Sequence, residues 1–250
     1  MLELPASWGN PERALAEVEL ELERGPETDL VLLPEASLTG YVSPDGDFDL
    51  ARFAEPIDGP TWRALADVAR RHRQNLVAPL VLSEGGLYFN AMVAFDRRGE
   101  PIFTYRKRHP WFPETWASAG NEPAPTVEIE GARVTIALCF DVHFLAEDAA
   151  GALDAADLLL FPSAWVEEVD TRPVLLADIA RRHRIAIANA NWGEGTVLVP
   201  GQGGSSILDA SGTVMARVAS PVAPTVEAPR VIRRANAAVE LARESSGALT

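Results

Sequence analysis

The segment Asp29-Leu-Val-Leu-Leu-Pro-Glu-Ala36 returns later in the chain as Asp157-Leu-Leu-Leu-Phe-Pro-Ser-Ala164. Ala69-Arg-Arg-His-Arg73 returns unaltered at 180–184, and Phe95-Asp-Arg-Arg-Gly99 returns as Leu208-Asp-Ala-Ser-Gly212, in the same order. One such match could be shared turn chemistry. Three in register point to two similar α-β halves packed about a pseudo-twofold axis. Within each half, apolar runs bounded by turn residues alternate with helical periodicity, the pattern of an α/β fold. The spacing predicts helices over 11–24, 61–73, 144–155 and 173–184, and strands over 29–34, 76–82, 134–138, 158–161 and 185–190. Hairpin-like pairs are expected at 91–95 with 102–105 and at 203–208 with 214–218, each around an Asp-x-x-Gly turn. Two sheets face to face with helices outside suit this duplication. No linker-like stretch interrupts the 250 residues, so a single domain over 1–250 is expected. The halves differ at one telling position, where Glu35 of the first is Ser163 of the second.

Charge and cysteine usage narrow the function. A formal charge of -14 argues against nucleic acid and anionic membranes as partners. One cysteine cannot form an internal disulfide, which fits a reducing compartment. Residues 1–10 carry neither a basic nor an apolar leader pattern, and no apolar run reaches bilayer length, so a soluble, cytoplasmic protein is expected. Of the 22 Lys plus Arg, Lys107 alone is lysine. A chain that uses guanidinium almost everywhere has kept one compact ammonium.

Glu35, Lys107 and Cys139 each follow the carboxyl end of a predicted strand, where open α/β folds gather their active sites. If the three converge, their roles follow from charge. Lys107 would favour the Cys139 thiolate, making it reactive to iodoacetamide well below its reference pKa of about 8.5, and would later donate to an oxyanion. Glu35 would take the thiol proton and return it to a leaving amine. The electrophile would be a carbonyl-like or nitrile carbon. Attack gives a tetrahedral oxyanion, with the backbone N–H of Phe140 as a second donor, then a thioester that water activated by Glu35 hydrolyses. No metal or cofactor is needed. Blander uses exist for the same residues: a lone cysteine can be a small buried hydrophobe, and Glu35 can cap a helix. Cys139, Asp141 and His143 alternate on a segment read as extended and could share one side as metal ligands, although three so close rarely complete a tetrahedral shell. Asp141 is expected to hold the turn after Cys139, and His72 and His183 to sit at helix C-termini. Trp111, Trp116, Trp165 and Trp192 fall in loops beside these motifs, where aromatics can line an apolar pocket, whereas Trp8 and Trp62 do not.

Leu33-Pro-Glu-Ala-Ser-Leu-Thr-Gly-Tyr41, Tyr105-Arg-Lys-Arg-His109 and Leu138-Cys-Phe-Asp-Val-His-Phe144 resemble, in order and spacing, the Glu, Lys and Cys motifs of the nitrilase (carbon-nitrogen hydrolase) superfamily. The resemblance extends through Asp157–Trp165, Asn189–Gly193 and Gly203–Asp209. It implies a four-layer αββα sandwich, usually paired into a homodimer, and hydrolysis of a nonpeptide carbon-nitrogen bond. It also implies a second glutamate shortly after the lysine, a place filled by Glu114, which would orient Lys107 and the substrate. Tyr41, Trp111, Phe140, His143, Trp165 and Trp192 are the expected substrate contacts. Family members often carry arginine where His143 stands, and carbamoyl amino acid hydrolases use arginines there to hold a substrate carboxylate. Val142-His143 offers no guanidinium, which favours a small neutral carboxamide. A nitrile or an N-carbamoyl amide is the alternative substrate, and an inactive scaffold is a further alternative that the intact Glu35, Lys107 and Cys139 oppose. Residues 230–250, with apolar Val231, Ile232, Ala235, Val239 and Leu241, are expected to form an arm packing on a second subunit.

Overall fold

A computed structural model describes residues 1–218 and the backbone of Arg233–Arg234. The order of elements is β1 (Leu2–Glu3), α1 (Pro11–Arg24), β2 (Leu30–Leu32), α2 (Pro60–His72), β3 (Asn75–Glu84), β4 (Leu87–Phe95), β5 (Pro101–Arg106), β6 (Val127–Ile129) and β7 (Ala132–Ile136). A 3-10 helix (Cys139–Phe144) leads into α3 (Leu145–Asp148) and α4 (Ala150–Ala155), followed by β8 (Leu158–Ser163), α5 (Arg172–His183), β9 (Ala186–Asn191), β10 (Ser206–Leu208), β11 (Val214–Arg217) and β12 (Arg233–Arg234).

Local chemistry accounts for the helix boundaries. Asn10 caps α1 by accepting the Arg13 N–H at 3.0 Å, with Pro11 in the first turn where its missing N–H costs nothing. The repeated Ala-Arg-Arg-His-Arg ends α2 and α5 in the same way. Arg73 and Arg184 both turn left-handed at φ +53°, and each donates its N–H back to the alanine that opens the repeat.

The strands form a sheet in the order β2-β3-β4-β5 and another in the order β11-β10-β9-β8-β7-β6. β2 pairs parallel with β3, and β7, β8 and β9 pair parallel with one another, while the remaining pairs in these two sheets are antiparallel. Period-two alternation assigns the faces. Val31, Leu33, Leu76 and Ala78 point out to α1 and α2, whereas Leu32 and Val77 point inward. In the second half Leu159 and Phe161 meet α4 and α5, while Leu160 faces inward. The inward residues of both sheets, including Met92, Val134, Ile136 and Ile207, merge into one central layer. The result is the expected four-layer αββα sandwich.

Three departures from the sequence expectation show in the backbone conformation. The strand predicted to 138 stops at Ile136, because Cys139 turns left-handed at φ +47° and opens the 3-10 helix. The helix expected over 144–155 is split at Ala149, whose φ of -139° breaks the ladder between α3 and α4. Two hairpins were not anticipated: β3–β4 turns through Gly85-Gly86 and β6–β7 through Glu130-Gly131, all four residues at positive φ. Among the described residues no helix is long and apolar enough to cross a membrane. The predicted arm over 230–250 lies outside the described residues, apart from Arg233–Arg234, which pair antiparallel with Leu2–Glu3.

Candidate active site

Glu35 sits three residues past β2, which ends at Leu32 and not at Pro34 as the sequence suggested, in a turn where Ala36 adopts φ +48°. Its side chain is fully buried. Oε1 accepts from Asn90 Nδ2 on β4 at 2.8 Å and from Lys107 Nζ at 2.6 Å, and Oε2 accepts from the Ala164 N–H just past β8 at 2.9 Å. The chain then closes the turn at Gly40, where φ is +85° and a Cβ would run into the Ser7 carbonyl, so that Tyr41 is delivered into the same space.

Lys107 follows β5 directly and is held there by its own N–H donating to the Asn90 carbonyl at 2.8 Å. Its ammonium, also fully buried, donates at 2.6 Å to both Glu35 Oε1 and Glu114 Oε1. A buried charge is tolerable only when paired, and here one cation carries two carboxylates. Burial by itself pushes the Lys107 pKa down, but the Glu35 and Glu114 carboxylates outweigh it and the net shift is upward. The ammonium is therefore secure. Glu114 also accepts from Tyr41 Oη at 2.6 Å and, through Oε2, from the Trp111 N–H at 3.3 Å. Burial pushes its carboxyl up, Lys107 pulls it down and Glu35 raises it again, leaving it above its ordinary value.

Cys139 opens the 3-10 helix in a left-handed conformation that a non-glycine residue adopts only under constraint. Its thiol is buried close enough to the Ala164 N–H, Glu35 and Lys107 for each to act on its ionisation. Burial and the Glu35 carboxylate raise its pKa well above the ordinary thiol value, more than Lys107 and the Ala164 N–H can lower it. The direction of this shift runs against the expected resting thiolate and favours the protonated thiol. We predict that iodoacetamide alkylation of the free protein will show no inflection below about pH 8.5, with the rate climbing only above it. A rate profile with an inflection near pH 7 would mean that Lys107 dominates after all.

Asp141 ties the lysine and cysteine segments together. Its Oδ2 accepts from Tyr105 Oη at 2.8 Å and its Oδ1 from the His109 N–H at 2.8 Å, so β5 and the turn after β7 share one buried carboxylate. This is the turn-holding use expected for it. The extended alignment of Cys139, Asp141 and His143 does not occur, because the segment is a 3-10 helix in which residues three apart stack. Phe140 and His143 accordingly share a side, 5.2 Å between rings, and His143 is exposed with its ring 5.8 Å from Trp165.

Around the polar cluster stands an aromatic wall. Tyr41 stacks on Trp111 at 6.4 Å and meets Trp192 edge-on at 5.7 Å and Phe48 at 5.6 Å. Trp192 Nε1 donates to the Trp165 carbonyl at 2.9 Å, joining that residue to the wall. Trp116 packs against the same cluster as Tyr41 and Trp111. Trp62 lies against Phe95 among the helix contacts, whereas Trp8, which meets Phe53 edge-on with Arg52 over both rings, also packs against the cluster that holds Tyr41. Of the expected substrate contacts, Tyr41 has its hydroxyl bonded to Glu114 and its ring in the aromatic wall. Asn90 and the Ala164 N–H were missed. Asn90 carried a usable signal, being a lone amide inside the apolar run of β4. The Ala164 N–H carried none, because a backbone donor leaves no mark in the residue type.

With this geometry in view, relatives can be compared. The sequence pattern of the carbon-nitrogen hydrolase family matches residues 5–226. An (R)-stereoselective amidase from Pseudomonas sp. is 26% identical over 191 residues, covering 76% of this chain and 68% of that protein. The 2-oxoglutaramate amidase of Bacillus subtilis (strain 168) is 26% identical over 226 residues, covering 86% and 83%. Among solved structures, a glutamate-to-glutamine variant of an amidase from Nesterenkonia sp. AN1 superposes with a TM-score of 0.76 at 25% identity, over 87% of this chain and 84% of that one. That structure shows covalent addition of the acetamide moiety of fluoroacetamide at its active-site cysteine. The chain belongs to the carbon-nitrogen hydrolase family and is a hydrolase of the amidase type.

Proposed function

We propose that the protein hydrolyses a small, uncharged carboxamide through a thioester on Cys139, with Glu35 as general base and acid, Lys107 as oxyanion donor and Glu114 holding Lys107 and the substrate. The observation that carries this is the buried cluster in which Glu35 and Glu114 share the Lys107 ammonium beside the buried Cys139 thiol, on which Glu35 and Lys107 both act. As Sγ forms its bond to the carbonyl carbon, its proton passes to Glu35, and the carbonyl π electrons move to oxygen. That oxyanion accepts from Lys107 Nζ and the Phe140 N–H. Collapse breaks the carbon-nitrogen bond, with Glu35 returning the proton to the departing ammonia or amine. Water then gives its proton to Glu35 and attacks the thioester, and the carboxylic acid leaves as the thiol is restored. A protonated resting thiol suits this order, because the proton that leaves sulfur is the one the leaving group needs.

The substrate class rests on the rim of the site. Val142 and His143 place no guanidinium at the cysteine turn. The buried Arg172 guanidinium donates through Nη2 to Asp170 at 2.9 Å and to the Gly203 carbonyl at 2.8 Å, while its Nη1 has no protein partner among the described residues, so Arg172 is the one buried guanidinium that an anionic substrate would have to reach. The aromatic wall of Tyr41, Trp111 and Trp192 offers apolar contact instead. A missing charge-assisted hydrogen bond forfeits about 1.5–3 kcal/mol, roughly ten- to a hundred-fold in specificity. Ammonia release from a panel of amides, N-carbamoyl compounds and nitriles at about pH 8, where an ordinary histidine is neutral, tests the proposal. A neutral carboxamide should give the highest kcat/KM, above its carboxylate-bearing counterpart. Equal or faster hydrolysis of N-carbamoyl amino acids would overturn the substrate class, and a preference for nitriles would move the enzyme to nitrilase chemistry. The proposal includes a homodimer, supported by the large apolar side chains Phe112, Val169, Val174 and Leu198 left exposed, and light scattering reads it directly.

A further inference from the structure

Glu114 Oε1 receives two short bonds, from Lys107 Nζ and from Tyr41 Oη, each 2.6 Å long. The groups facing this carboxylate are Lys107 after β5, Glu35 after β2 and Tyr41 after the Gly40 turn, with Cys139 acting on both Tyr41 and Lys107. Lys107 must serve Glu35 and Glu114 at once, inside a site where neither carboxylate meets solvent. One ammonium shared between two carboxylates holds each less firmly than a dedicated partner would. The Tyr41 hydroxyl adds a second donor to the same Glu114 oxygen. Its own ionisation is blocked, because burial, Glu35 and Glu114 all raise the phenol pKa, so it can only donate. Its ring meanwhile belongs to the aromatic wall, stacked on Trp111.

We propose that Tyr41 is a positioning residue, whose hydroxyl holds the Glu114 carboxylate, and through it the Lys107 ammonium, in the orientation the oxyanion requires. This rests on the amidase mechanism above and assigns the Tyr41 hydroxyl a part in turnover, beside the apolar contact that its ring offers. A hydrogen bond to the ionised form of a carboxyl lowers its pKa, so removing the hydroxyl raises it. The acid limb of activity should then move to higher pH, since Glu114 protonates sooner and releases Lys107.

The test is Tyr41→Phe, which keeps the ring and its stacking. Loss of a hydrogen bond to a charged group should lower kcat by about ten- to a hundred-fold while KM for a neutral amide changes little, and should shift the acid limb of kcat/KM upward. In a Glu114→Gln background the same change should add almost nothing, because the group it acts through is gone. Glu114→Gln alone should abolish the Glu114 component of the acid limb. A carbon-13 titration of the Glu114 carboxyl, assigned by its loss in Glu114→Gln, reads the shift without turnover and should show a higher pKa in Tyr41→Phe. Failure of the amidase proposal would thus appear as no ammonia release, and failure of the Tyr41 inference as an unmoved Glu114 titration. A rise in KM with kcat and pH profile unchanged would return Tyr41 to the substrate contacts. Additive losses in the double variant would equally overturn the inference, as would an acid limb unmoved by Glu114→Gln.

Discussion

Lys107→Arg is expected to lower kcat by about 10² to 10³, the cost of one oxyanion donor, although the positive charge is kept. The ammonium is fully buried and donates at 2.6 Å to two carboxylates on different segments, Glu35 and Glu114. A guanidinium is planar and longer, and its donors form a fixed fork that cannot converge on two such oxygens from one point while leaving a third N–H for an oxyanion. The surroundings offer no slack, since the Lys107 backbone is pinned at both ends by the Asn90 carbonyl and the Gly120 N–H. Steady-state kinetics on the folded variant check the prediction. Retention of more than roughly a tenth of the wild-type kcat would remove Lys107 from the oxyanion site.

Glu35→Gln should cost turnover about 10³-fold, within the range for loss of a general acid-base group. Two faults combine. The amide cannot accept the thiol proton, and burial, the largest of the causes that raise the Cys139 pKa, is unchanged by the substitution. Geometry adds a second fault, because both carboxylate oxygens already accept, Oε1 from Asn90 and Lys107 and Oε2 from the Ala164 N–H. Whichever way the glutamine is turned, its NH₂ faces a donor, so a buried N–H loses its partner at about 1–3 kcal/mol. The expected result is a folded protein with a lowered melting temperature and almost no ammonia release. Activity above about a hundredth of wild type would show that another group takes the proton.

These expectations also divide what the linear chain reveals from what it conceals. The duplicated segments, the helices over 11–24 and 61–73, and the facing sheets follow from periodicity and turn chemistry, which act between residues close in sequence. Glu35, Lys107 and Cys139 could be picked out because each is a distinctive residue at the end of a strand, and parallel strands bring their carboxyl ends to one edge. Tertiary structure alone decided the rest. Asn90 meets Glu35, and Tyr41 meets Glu114, across long stretches of chain, and no local pattern encodes a distance of that kind. The direction in which the Cys139 pKa moves could not be read from the sequence for a related reason. A pKa depends on how completely water is removed and on which of two opposite charges stands nearer, and here burial and Glu35 outweigh Lys107. The 3-10 turn that separates Cys139, Asp141 and His143 likewise arises from long-range bonds, in which Tyr105 and the His109 N–H draw Asp141 toward β5 and bend the segment out of the strand its alternation suggested.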